Sequence, residues 1–384
     1  MIKNYALKLP QVVYGGEDAT EQLVSVIEKA GAKNVAVFTD PSLRKLGLVD
    51  PALAAIKEAG AEAHIFDNIP AEPSYIQVQE VVDEVTGTGT ELVVAVGGGS
   101  VMDTAKLACV CAGAPYTVHD LLKDPARARK QLHCVAVPTT AGTGAEATIN
   151  AIVAVPEDEV KIGIVNDAMM PDVVLLDVRM VQNLPRSIAA ATGVDAMCHA
   201  IECFTCKKAN PFSDTFALEA FDLIINNIEH ACDSKDDLEA KRAMQIAALY
   251  GGIAITASGT TAVHGLSYPL GGKYHVPHGV SNAILLSPVM HFNEPAIRDR
   301  LAAAYDHAIK GDAKTEEDKS AAVINRMDEI VDQLDIPNTL DALGVHDAPI
   351  DWLAEAGIQQ QRLLSNNKRE VTLEDAKAIY RQIM

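Results

Sequence analysis

Apolar positions in the first half of the chain fall in short runs separated by amphipathic stretches, and in the second half they form long helical stripes. Residues 33–39 (LysAsnValAlaValPheThr), 61–67 (AlaGluAlaHisIlePheAsp), 91–96 (GluLeuValValAlaVal) and 133–138 (HisCysValAlaValPro) each have the length and β-branched content of one strand. Residues 151–155, 161–165 and 173–176 add three more strand signals. A helical pattern covers 43–59, and another helix begins near Val101. Strand alternating with helix predicts a parallel sheet covered by helices. Beyond Leu184-Pro185 the period changes: 187–206, 213–230, 237–257, 295–309, 315–334 and 372–383 are Ala-rich amphipathic stretches with few strand signals. The pattern predicts an α/β domain with a Rossmann-like parallel sheet over residues 1–185 and an all-helical domain over 186–384. The active site is expected in the cleft between them.

Composition narrows the partners. The chain has 384 residues, 48% hydrophobic and 22% charged, the balance of a globular protein. Its formal charge of −20 repels polyanions, which argues against nucleic acid and anionic membrane surfaces. No apolar run approaches the ~20 residues that span a bilayer, and MetIleLysAsnTyrAlaLeuLysLeuPro at the start lacks the apolar h-region of a signal peptide. Seven cysteines, an odd number, predict reduced thiols and a cytoplasmic location. Cys198, Cys203 and Cys206 have C-x4-C-x2-C spacing, with Cys232 a possible fourth ligand of an iron–sulfur cluster. The helical pattern around them argues instead for packed thiols.

Two groups of residues carry chemistry. The run Gly97-Gly98-Gly99-Ser100 follows a buried strand and opens a helix, where backbone N–H groups and the helix dipole can hold a pyrophosphate. The same run also fits a plain β–α turn, and the G-x-G-x-x-G spacing is absent. Ser100 and Asp103 form a Ser-x-x-Asp capping pattern. Asp40, at the end of an early strand, fits either a helix cap or an acceptor for an adenosine ribose diol that would disfavour a 2′-phosphate. Thr139-Thr140-Ala141-Gly142-Thr143-Gly144 adds hydroxyls and glycines after another strand. The second group is Asp195 and His199, spaced i, i+4 on a helical stretch, with His264 and His278 further on. Brought together, one carboxylate and three imidazoles suit Fe(II), Zn(II) or a similar ion.

These residues sit in segments that resemble the iron-containing (group III) alcohol dehydrogenase family: GlyGlyGlySerValMetAspThrAlaLys (97–106), ProThrThrAlaGlyThrGlyAlaGluAlaThr (138–148), AlaThrGlyValAspAlaMetCysHisAlaIleGlu (191–202) and ProHisGlyValSerAsnAla (277–283). They occur in the family's order across nearly the whole chain. The resemblance implies the dehydroquinate synthase-like two-domain fold and a divalent metal on Asp195, His199, His264 and His278. It places NAD(H) on Asp40, Gly97, Gly98, Gly99 and Ser100, with Thr139, Thr140, Thr143, Thr148, Asn150 and Lys161 along the cofactor cleft. Asp103 matches the family's loop-helix acid. The implied reaction is metal-assisted hydride transfer between a nicotinamide and a short primary alcohol, diol or aldehyde, as in the lactaldehyde and 1,3-propanediol branch, by a homodimer or larger assembly.

The chain departs from the family's pattern four residues after His264, where many members carry a second histidine and this one has Tyr268. A phenol with a pKa of ~10 is a poor proton shuttle near neutral pH. The relay is therefore expected through Tyr268, with water and the cofactor ribose, or through His275, with Lys161 also at the reacting end. His275 fits an ordinary loop histidine as well. Ile255 and Leu363 fall where family members vary in substrate contacts, and both also fit core positions. The HisGlyLeuSerTyrPro segment also resembles hydroxyacid–oxoacid transhydrogenases and 4-hydroxybutyrate dehydrogenases, in which Lys273 would meet a substrate carboxylate. A non-catalytic nucleotide- or metal-binding protein is the reading from another class.

Overall fold

The computed structural model describes residues 4–158, 160–346 and 348–384, so the first three positions of the N-terminal segment lie outside it. The chain divides into two compact units. One comprises Leu9–Thr140 and Gly144–Leu184, the other Ala141–Thr143, Pro185–Met384 and the described residues up to Lys8.

The first unit runs β1 (Val12–Gly16), α1 (Gln22–Ala30), β2 (Asn34–Phe38), α2 (Pro41–Lys45), α3 (Asp50–Glu58), β3 (Glu62–Phe66), α4 (Tyr75–Thr86), β4 (Leu92–Gly97), α5 (Gly99–Cys111), α6 (Val118–Lys123), β5 (His133–Pro138), β6 (Asn150–Val155), β7 (Val160–Val165), β8 (Val173–Asp177) and α7 (Arg179–Gln182). Among the described residues six strands form a parallel sheet of order β1-β8-β5-β4-β2-β3. Strand β4 is buried along its whole length, because helices cover both faces of a parallel sheet and leave no solvated side. After β3 the chain returns across β2 to β4. That reversal leaves a crevice outside the carboxyl ends of β2 and β4, where Asp40 and the glycine run sit.

Three expectations fail here. The helix read over 43–59 is two helices, because Gly47 turns into the left-handed region (φ 73°) and Asp50-Pro51 restarts the chain. The strands 151–155 and 161–165 leave the parallel sheet and pair antiparallel as a β6–β7 hairpin. Period-2 alternation is the same for either partner, so the pattern had no means of distinguishing them. The Ser100-Asp103 cap does not form: the helix starts earlier, at Gly99, with Gly98 as an N-cap that offers no side chain. Ser100 Oγ instead accepts the Glu72 N–H at 2.9 Å.

The second unit is helical: α8 (Arg186–Thr205), α9 (Pro211–Asp233), α10 (Leu238–Ala257), α11 (Ala262–Tyr274), α12 (His278–Ala304), α13 (Glu316–Gln333), α14 (Ile350–Ile358), α15 (Gln361–Leu364) and α16 (Leu373–Arg381). The stretch read as 295–309 is the end of α12 and a wide turn at Tyr305–Ile309. Pro288 and Pro295 lie inside α12 without ending it. Core packing of Ile284, Leu285, Val289 and Ile297 against α8 and α13 holds the helix through both prolines. Cys198 and Cys203 are buried within α8 and Cys206 at its end, which puts them in the core instead of an iron–sulfur loop. Among the described residues no single helix is long and apolar enough to cross a membrane.

Candidate metal centre and cofactor loops

The helix α8 carries Asp195 and His199 one turn apart on a buried stripe, at 2% and 5% exposure. His264 enters from the first turn of α11 and His278 is the first residue of α12, with Pro277 as its N-cap. Helices α8 and α12 come together because Gly279 has no side chain: a Cβ there would lie 2.2 Å from the Ala191 carbonyl oxygen. Asp195 Oδ1 then faces three Nε2 atoms, His264 at 3.5 Å, His278 at 3.7 Å and His199 at 3.8 Å. Ligands about 2.1 Å from one tetrahedral cation stand roughly 3.4 Å apart, so the spacing fits a single first-row ion. The Asn282 amide marks the point of convergence. Its Nδ2 donates to Asp195 Oδ1 at 2.7 Å and lies 3.2 and 3.3 Å from Nε2 of His264 and His278, while its own Oδ1 is buried without a partner.

The electrostatics suit the same ion. Burial resists ionisation of Asp195, yet His199, His278 and His264 outweigh it and hold the carboxyl well below the usual range. Burial pushes His199 down, keeping its ring neutral and its lone pair available. Burial also opposes charge on His264, but Glu202 and Asp195 overcome it and raise the ring to about 9. A proton and a cation therefore compete for His264. Both remaining ring nitrogens have acceptors: His199 Nδ1 lies 3.3 Å from the Gly142 carbonyl, and His264 Nδ1 donates to the Glu202 carboxylate.

On the sheet unit, Asp40 caps α2 through Oδ1, accepting from Ser42 N at 2.8 Å and Leu43 N at 3.1 Å. The cap occupies one oxygen, and it does not exclude a ribose on the other. Strand β4 runs directly into Gly97 and Gly98, and a Cβ at Gly98 would meet Thr140 Cγ2 at 3.4 Å, so the loops after β4 and β5 form a narrow cradle. Thr139 is buried beside it, its N–H donating to the Gly97 carbonyl. The other expected cofactor residues are drawn into a buried network around Lys106. Its Nζ donates to Thr148 Oγ1 at 2.8 Å, to the Asn150 carbonyl at 2.9 Å and to Asp103 Oδ1 at 3.2 Å. Asp103 Oδ2 accepts from Ile152 N. Asp103 thus ties α5 to the β6–β7 hairpin. Lys161, 7% exposed, pairs with Glu72 at 2.5 Å, and Glu72 adopts a left-handed φ of 52°. Thr143 groups with the helical unit.

Tyr268 lies on α11 one turn past His264, 8% exposed, its ring 6.1 Å from that of His278. His275 is exposed and ends α11 in the left-handed conformation (φ 54°). Ile255 is half-buried against the helical core, and Leu363 is buried on α15 facing Gly265. The Lys273 ammonium sits 3.9 Å from the Trp352 ring centroid. Sequence reasoning missed Glu202, Lys106, Glu72 and Asn282. Glu202 had a signal, since it continues the Asp195–His199 stripe at i+7.

The family model described as iron-containing alcohol dehydrogenase matches residues 10–178, and that described as the C-terminal part of the Fe-containing alcohol dehydrogenase family matches 189–384. The chain belongs to the iron-containing alcohol dehydrogenase family. Long-chain-alcohol dehydrogenase 1 of Geobacillus thermodenitrificans is 32% identical, over 97% of this chain and 94% of that protein. The 1,3-propanediol dehydrogenase of Klebsiella pneumoniae is 31% identical, over 97% of each. A crystal structure of a 1,3-propanediol oxidoreductase, 29% identical, superimposes with a TM-score of 0.93 over the full length of both chains. The α/β-plus-helical architecture of this chain is therefore the fold of the iron-containing family, and the Asp195 cluster lies in the part matched by the family's C-terminal model.

Proposed function

We propose that the chain is an NAD-dependent oxidoreductase interconverting short primary alcohols or diols and their aldehydes, with a divalent metal, iron(II) first, on Asp195, His199, His264 and His278. The observation that carries this reading is the convergence of three Nε2 atoms on one buried carboxylate oxygen. When bound, the cation supplies Lewis acidity toward a substrate oxygen, and the nicotinamide accepts or gives the hydride. Backbone N–H groups of Gly97, Gly98, Gly99 and Ser100 bind the pyrophosphate at the start of α5. Thr139 and Thr140 shape that cradle, Lys106 holds the Thr148 hydroxyl and the Asn150 backbone carbonyl beside it, and Thr143 is assigned to the same cofactor. Lys161, held by Glu72, presents its remaining ammonium N–H donors at the reacting end. Tyr268 Oη holds the alcohol oxygen by a hydrogen bond, and the alcohol proton leaves through water and the cofactor ribose or through the exposed His275. Ile255 and Leu363 shape the substrate pocket. The engagement of Lys273 with Trp352 favours uncharged alcohols over hydroxyacids. The exposed apolar residues Val12 and Val13 on the edge strand β1 support a homodimer, and seven unpaired cysteines support a cytoplasmic location.

The test is NADH oxidation by the protein loaded with Fe(II) or Zn(II), with propanal, lactaldehyde, glycolaldehyde and succinic semialdehyde. Turnover of the uncharged aldehydes is expected. No loss of NADH absorbance with any aldehyde would leave only a binding function, and preference for succinic semialdehyde would transfer the chain to the hydroxyacid branch.

Cofactor preference has its own test in Asp40→Asn. Asparagine caps a helix as well as aspartate, so α2 should keep its start. Loss of the carboxylate charge removes repulsion of a 2′-phosphate. The ratio of kcat/KM for NADP to that for NAD should rise about tenfold, the worth of ~1.4 kcal/mol. An unchanged ratio would remove Asp40 from the adenosine end.

A further inference from the structure

We propose that Glu202 is the positioning residue of the metal centre, accepting the Nδ1–H of His264 so that the lone pair of Nε2 is presented to the cation. The proposal rests on the metal reading above. Glu202 is fully buried on α8, three residues past His199 and seven past Asp195, so a single helical stripe supplies two ligands and the support of a third. Its Oε2 accepts from His264 Nδ1. Its Oε1 accepts from Thr261 Oγ1 at 2.7 Å, Val263 N at 2.8 Å and Thr261 N at 3.1 Å.

Those three donors explain why the carboxylate is there. The first N–H groups of a helix have no partner inside it, and Thr261, the N-cap of α11, makes no side-chain cap bond. Glu202 supplies that cap from another helix. The preceding turn is pinned by Asn366, whose Nδ2 donates to the carbonyls of Ser258, Gly259 and Thr260 at 3.0–3.2 Å. Four donors converge on two oxygens, so the carboxylate cannot rotate away without leaving buried donors unpaired. The imidazole that meets it has its Nδ1 committed as a donor, which leaves Nε2 as the metal-facing acceptor. His199 Nδ1 faces only a neutral carbonyl, at 3.3 Å. The charged acceptor on His264 makes that ring the more basic ligand, the arrangement of a carboxylate–histidine–metal triad.

The variant Glu202→Gln keeps the size of the side chain. Its Oε1 serves the three donors of Thr261 and Val263, and its amide N–H groups then face His264 Nδ1. The ring responds by moving its proton to Nε2, the atom the metal needs. The Kd for Zn(II), measured by competition with a chromophoric chelator, is expected to weaken about 10–100-fold. The low-field imidazole N–H proton signal of His264 in the Zn(II)-loaded wild type should vanish in the variant. A residue that merely braced the fold would lower the urea midpoint and leave both readouts in place. An unchanged Kd, a persisting low-field signal in the variant, or no such signal in the loaded wild type overturns the proposal. If Glu202→Gln does not fold, Thr261→Val removes only the Oγ1 donor. It should weaken the Zn(II) Kd several-fold and shift the His264 signal, and no change in either again overturns the assignment. A wild-type chain that binds no Zn(II) at all refutes the metal reading itself, a different failure.

Discussion

Replacing Asp195 with asparagine should strip the protein of its metal and lower aldehyde turnover by roughly 10^3-fold, the several kcal/mol that a Lewis acid contributes. Asp195 supplies the one anionic oxygen in the donor set, and His199, His264 and His278 all face that oxygen. Burial alone would favour the neutral acid, and the surrounding imidazoles and the Asn282 N–H oppose it, so the carboxyl lies below its usual range. Asparagine preserves the shape and an acceptor oxygen for Asn282, so the helices should remain packed while the charge goes. The measurement is metal content per chain after gel filtration, beside circular dichroism and NADH oxidation. Full metal retention with near-wild-type turnover would show that the cluster is not the catalytic centre.

Gly279→Ala should be the most damaging single methyl group that can be added at the site. The new Cβ would lie 2.2 Å from the Ala191 carbonyl oxygen and 2.7 Å from its carbon, and both belong to the backbone of α8. A side chain can rotate away from a clash, whereas a helix backbone can only move as a unit. Since α8 carries Asp195 and His199 while α12 begins with His278, separating the two helices pulls the donor set apart. Overpacking of this kind costs about 3 kcal/mol, and metal retention should fall with it. Urea midpoints and metal content check the prediction, with Gly15→Ala as control because nothing lies within 4 Å of that position. A variant equal to wild type in both would mean that the approach of α8 and α12 does not build the site.

The two halves of the Asp195 cluster were legible to different degrees. Asp195 and His199 are four residues apart on a helix, and the helix is a local structure, so spacing alone puts them on one face. His264 and His278 sit on different helices, and only the ordered family segments tied them to the first pair. Glu202 extends the same stripe, but its role is not written there. Its partners His264 and Thr261 are 62 and 59 residues away, and no local pattern reports a contact of that range. The glycine run is similar. A strand followed by glycines and a helix was readable, but Ser100 as a cap was not decided locally, because the Glu72 N–H from 28 residues earlier takes its oxygen. Asp103 likewise serves Lys106 on its own helix and Ile152 on the β6–β7 hairpin, a role that a capping pattern hides.

By itself the sequence determined the alternation of strand and helix, the change to a helical half at Pro185, and the placing of Asp195 and His199 on one helix face, because each depends on residues within one or two turns of each other. Tertiary structure decided what those elements became: β6 and β7 as a separate hairpin, Asp195 Oδ1 as the point on which three imidazoles converge, and Glu202 as the cap of one helix and the partner of its histidine. The physical reason is the same in each case. A buried donor or acceptor must find a partner, and when the chain folds, the partner it finds is the nearest in space and seldom the nearest in sequence.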